Sequence, residues 1–135
     1  TGWTIVCGYK YTTTAELPNI YLDLNPREDA VRYDTDADLR ISGINFNMGV
    51  GGPIEFHLSS TMADMADITQ TDSGMLTDSS VFSSPPADLH KKVRVPIQRK
   101  NDKYNLTIKI PDPFSTSIVS ATWDGRYDTR RHARR

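Results

Sequence analysis

Apolar and polar positions alternate with a period of two along most of the chain, the mark of half-buried strands rather than helices. Trp3, Ile5, Cys7, Tyr9 and Tyr11 share one parity, with Thr4, Val6, Gly8 and Lys10 on the other. Ile20, Leu22 and Leu24 alternate with Tyr21 and Asp23. Leu39 and Ile41 precede Ile44, Phe46 and Met48 on the opposite parity, so the pattern predicts a bulge at Gly43 where the face switches. Ile54, Phe56 and Leu58 form the next alternation, and Val93, Val95 and Ile97 another, in which Pro96 implies an edge strand or a bulge. Tyr104, Leu106, Ile108 and Ile110 follow the polar turn Lys100–Lys103, and a last strand is expected from about Ser117 to Tyr127.

About seven short strands with frequent turn signals predict an all-β fold, an antiparallel β-sandwich. Gly49, Gly51 and Gly52 give the Met48–Pro53 link the chemistry of a hairpin turn. Ser60–Ile68 could wind into about two helical turns capped by Ser60 or Thr61, with Asp64 in the first turn. From Ser59 to Lys91 the composition shifts to Ser, Thr, Asp, Met and Pro, and so long a connection is read as an excursion loop that contacts a neighbour. The domain reading is one β-sandwich over 1–127, with the long loop at about 59–91 and a basic tail at 128–135. The strand pattern starts almost at once after Thr1 with no hydrophobic leader, so the chain is expected to be a piece of a longer polypeptide.

Composition changes this picture only at the ends. The 135 residues carry a net charge of −1, which is no signature of nucleic-acid binding over the whole chain. The stretch from Asp124 to Arg135 holds five arginines against two aspartates, which leaves an acidic excess in the body. Arg126, Arg130, Arg131, Arg134 and Arg135 are therefore read as a docking arm. Trp123 shares the parity of Val119 and Ala121 and is expected to be buried, a structural anchor of the last strand, with Gly125 closing that strand. A membrane span is excluded by the lack of a run of about 18 apolar residues. The single cysteine, Cys7, excludes an internal disulfide and is expected to be a buried inert thiol.

Catalytic and metal chemistry find little support. Asp34, Asp36 and Asp38 alternate like the start of a calcium loop, but Leu39 stands where that loop needs glycine and Asn45 where it needs a bidentate glutamate. No metal site, no catalytic residue and no cofactor are therefore expected. His57 and His90 could act as bases, but no Gly-x-Ser-x-Gly elbow accompanies them, and His57 falls on the outer face of its strand. Asn105-Leu106-Thr107 fits a glycosylation acceptor inside a predicted strand and is discounted.

The run Pro111-Asp112-Pro113-Phe114 through Ser117–Trp123 to Asp124-Gly125-Arg126-Tyr127 resembles the closing strand of the podovirus tail nozzle family, the tail tubular B proteins. Gly8-Tyr9 with Glu16-Leu17-Pro18, the strand Leu39–Met48 ending in Gly49, and Gly52-Pro53-Ile54-Glu55-Phe56 are similar in kind, in the family's order. The resemblance implies a structural virion component of a short-tailed phage: a hexameric ring of copies at the distal tail, through which the genome is ejected. It implies contacts with an adaptor ring and with tail fibres or spikes, and DNA only as passing cargo. An acidic body suits a channel wall, because like charge keeps DNA from adhering. The alternative is a carbohydrate- or receptor-binding β-sandwich that uses Trp3, Trp123 and the tyrosines as stacking faces.

Overall fold

The computed structural model describes residues 7–23, 38–75, 90–111 and 115–128. They form seven strands: β1 (Thr13–Leu17), β2 (Asp38–Met48), β3 (Ile54–Ser60), β4 (Ile68–Asp72), β5 (Lys91–Lys100), β6 (Tyr104–Ile110) and β7 (Ile118–Asp128). Two antiparallel sheets result, one ordered β1-β6-β3-β4 and the other β5-β2-β7. No described residue is helical.

The alternation explains the packing. Ile54, Phe56 and Leu58 of β3 and Tyr104, Leu106 and Ile108 of β6 face Ile44, Phe46 and Met48 of β2 and Val93, Val95 and Ile97 of β5 in one buried cluster. At its centre the rings of Phe46 and Phe56, one from each sheet, stack with centroids 4.8 Å apart and planes at 29°. Each such side chain, fully removed from water, contributes about 1.5–3 kcal/mol.

The bulge falls where the parity change places it. Both ladders of β2 shift register between Ile41 and Gly43. The extra residue does not send the flanking residues to opposite sides; it brings Leu39 and Ile41 back onto the core face with Ile44, and all three are buried. Pro96 pairs with Gly43 at this irregularity, on the edge strand β5, as its missing N–H requires.

Several expectations are corrected. The glycine-rich link from Met48 to Pro53 is not a hairpin turn, because β2 and β3 belong to different sheets and the link crosses between them. Its backbone is tied to two other segments, with Gly49 N–H donating to Ser117 at 2.8 Å and Met75 N–H to Gly51 at 2.9 Å. Residues 60–68 do not wind into a helix. Met65 N–H closes one turn onto Met62 (3.3 Å), and the Ser60 hydroxyl accepts from Met62 N–H (3.0 Å).

Strand β4 follows inside the stretch read as a loop. Residues 20–22 are not a strand, although Ile20 and Leu22 still pack against the core. Asn101, 5% exposed, fixes that segment by donating from its side-chain amide to the Ile20 carbonyl at 3.0 Å, while its N–H donates to Leu39 at 2.9 Å. Cys7 is exposed rather than buried.

Candidate interaction surface

Strand β7 pairs with β2 along one side only and is an edge of its sheet among the described residues. Its register sets Trp123 beside Ile44 and Ala121 beside Phe46, so the parity argument places these side chains on the core-facing side. They are nevertheless poorly covered. The expectation that Trp123 is buried is corrected: the residue is 37% exposed, and Ile118 and Val119 are 39% and 56% exposed. The cause is the layout of the two sheets. Among the described residues β7 and β1 both lie at edges, and between them the sandwich is open.

The opening is an apolar groove of about 220 Å³ walled by Leu17 and Ile20 on one side and Ala121 and Trp123 on the other, with Ile44 and Tyr104 among its lining. Tyr104 is only 3% exposed, and its hydroxyl has no hydrogen-bond partner among the described residues. Burial pushes its phenol up to about 12, because the anion would be poorly solvated there.

On the outer face of the same sheet, Arg94 of β5 reaches across β2 to Asp124 of β7. Its two terminal nitrogens donate to the two carboxylate oxygens at 2.7 and 3.0 Å, and one also donates to Asn45 Oδ1 at 3.2 Å. The hydrogen bonds and charge of Arg94 hold the Asp124 carboxyl below the usual carboxylate range, and Asp124 in turn raises Arg94. Gly43 lies beneath the bridge. A Cβ there would come within 3.0 Å of an Arg94 guanidinium nitrogen.

Sheet β1-β6-β3-β4 carries a different cluster. His57 Nε2 is 3.0 Å from Glu55 Oε2 and its Nδ1 is 3.2 Å from Thr69 Oγ1, on the outer strand face as expected from its parity. A hydroxyl, an imidazole and a carboxylate in line invite a catalytic reading. The backbone of β3 around them is taken up on both sides by the β4 and β6 ladders, so the three side chains sit on the outer face of a continuous sheet.

Of the arginines read as a docking arm, Arg126 is placed within β7, opposite Arg40, and its Nε lies 3.1 Å from Asp128 on an exposed surface. Gly125 therefore does not close the strand, which runs on to Asp128. Arg130, Arg131, Arg134 and Arg135 lie outside the described residues, as do Asp34, Asp36 and Trp3. Asp38 opens β2, with Oδ2 3.6 Å from Arg40. The groove itself was not legible in the sequence. Parity says which way a side chain points, but not whether a facing strand covers it.

No curated protein matches the chain. The family of bacteriophage nozzle proteins matches over residues 1–134, nearly the whole length, with no support for the carbohydrate-binding alternative. The chain belongs to the bacteriophage nozzle protein family and is a structural component of the phage virion tail.

Proposed function

We propose that this domain is a subunit-contact unit of a hexameric nozzle ring at the distal end of the tail. In that ring it works by shape and association rather than catalysis, with DNA only as passing cargo. The ring joins an adaptor ring above and carries fibres or spikes at its flank. The observation that carries this reading is the open side of the sandwich: among the described residues β7 is an edge strand, almost wholly exposed, beside an apolar groove. Strand edges invite pairing, and a closed ring can satisfy them across subunits. The arginines of the docking arm, of which Arg126 projects from β7, serve a neighbouring acidic surface.

Reconstitution tests it. Tails assembled without this protein are mixed with the wild type or with an Ala121→Asp/Trp123→Asp variant, after circular dichroism has established that the variant folds. Completed tails are counted by electron microscopy. The wild type should complete them and the charged variant should not. Equal completion by both would place the contact surface elsewhere and refute this reading.

A further inference from the structure

We infer that the groove beside β7 receives the segment before β1 of a second copy of this chain, added as an extra strand to the sheet edge. This rests on the ring reading above and specifies its contact. Two unsatisfied features of one molecule complement each other. The groove presents Leu17, Ala121 and Trp123 next to a free strand edge, among the described residues. Residues 7–12 belong to neither sheet, and there Cys7 is exposed, Tyr9 is 96% exposed and Tyr11 is 58% exposed.

These three share one parity, which Trp3 and Ile5 continue in the sequence, so a strand made from this segment would turn all its aromatic side chains to one side. Added to β7 with that side inward, it would cover the groove with tyrosines and direct Lys10 to the face that carries Asp124. Main-chain hydrogen bonds to the edge supply affinity, and the alternating apolar contacts supply register.

The donor is a neighbour rather than the same chain. β1 begins at Thr13 opposite Ile110 and runs toward Leu17 opposite Leu106, so the segment before it arrives at the end where Gly49 is bonded to Ser117 ahead of β7. To lie along its own β7 it would have to double back at residues 12–14. Those residues are three consecutive threonines, β-branched and unsuited to a tight reversal. Donation from one copy to the next is heterologous, the kind of contact that closes a ring.

Cys7 is the only cysteine, so it serves as a built-in probe. Ala121→Cys places a thiol on the groove side of β7 and Ser120→Cys places one on the opposite face, with Asn45 and Arg94. Each variant is oxidised with copper phenanthroline over a range of concentrations, and the linked peptides are mapped by mass spectrometry. With Ala121→Cys, the inference predicts disulfides between Cys7 of one copy and the introduced thiol of another, increasing with concentration. Ser120→Cys should give several-fold fewer. Links within one chain, equal links at both positions, or none at either would overturn it.

A second measurement avoids cysteine variants. Amide exchange along β7 should slow as the wild type is concentrated, and should not slow in Tyr9→Ser/Tyr11→Ser. If both proteins slow alike, the strand donation is wrong. If light scattering shows the Ala121→Cys chain associating while Cys7 forms no link to the introduced thiol, the strand donation fails and the ring reading stands.

Discussion

Arg94 and Asp124 form a two-pronged ion pair across the outer face of β2, joining the two outer strands of a three-stranded sheet that share no backbone ladder. The pair is exposed, so salt and water weaken it. Its consequence is local: it holds the edge strand β7 to the sheet at the bulge. Asp124→Asn should speed amide exchange in β7 more than in β3.

Asp124 makes the bridge sensitive to acid. Its carboxyl is lower in the folded chain than the unfolded value of about 3.9, so its stabilisation is complete above that pH and is lost as pH falls through the folded value. Melting temperatures of wild type and Asp124→Asn should therefore differ at neutral pH, and less so in high salt. They should converge in acid, below about pH 4. A constant difference down to about pH 2 would show that the carboxylate's charge is not what acts.

Tyr104 makes the opposite prediction at alkaline pH. Its phenol titrates at about 12 in the folded chain and near 10 unfolded, so the folded state is at full strength below about pH 10 and loses stability as pH rises from 10 to 12. The loss is about 2–3 kcal/mol on that shift. Tyr104→Phe should remove it while changing stability at neutral pH by less than about 1 kcal/mol, since the hydroxyl has no partner among the described residues to lose. Denaturant titrations at neutral pH, at about pH 10 and at about pH 11.5 measure both effects.

The aromatic core and the groove should respond differently to truncation. Phe46 and Phe56 are each 1% exposed and stack on one another, so Phe46→Ala should cost about 3–5 kcal/mol. Trp123 is 37% exposed and leaves an already open site, so Trp123→Ala should cost less, about 2–3 kcal/mol. Chemical denaturation of the two variants ranks them. A larger loss at Trp123 would mean that the indole is enclosed after all.

Gly74 tests the crossing between sheets. Its φ is +71°, and a Cβ there would stand 2.2 Å from the Gly52 carbonyl oxygen, a backbone atom that cannot step aside alone. Gly74→Ala should destabilise by about 2 kcal/mol or more, combining left-handed strain with a displaced 49–53 link. Thermal unfolding at neutral pH checks it.

The sequence revealed the strands that have one wet and one dry face. β2, β3, β5 and β6 carry clean apolar alternation because each lies over the core, and the Gly43 bulge was visible as a change of parity. β1 and β4 were invisible for the matching reason. Thr13–Leu17 and Ile68–Asp72 are short edge strands with mostly exposed side chains on both faces, held by their ladders to β6 and β3. The Met48–Pro53 link misled because glycines report a sharp change of direction without saying whether the chain returns to its own sheet or crosses to the other.

The surface residues divided similarly. Arg126 was recognised as exposed and cationic, whereas the Arg94–Asp124 bridge joins residues 30 positions apart and depends on which strands flank β2. The groove is likewise a property of sheet order. A chain that alternates perfectly still leaves apolar side chains uncovered where the facing sheet stops.

In the proposed ring this nozzle domain associates along its β7 side. Hydrogen exchange on the chain alone and on the same chain within assembled tails measures this directly, with β5, the other edge of the same sheet, as the internal reference. Assembly should slow exchange of the outward amides of β7 and leave those of β5 largely unchanged. Unaltered exchange in β7, with protection appearing at β5 instead, would contradict it.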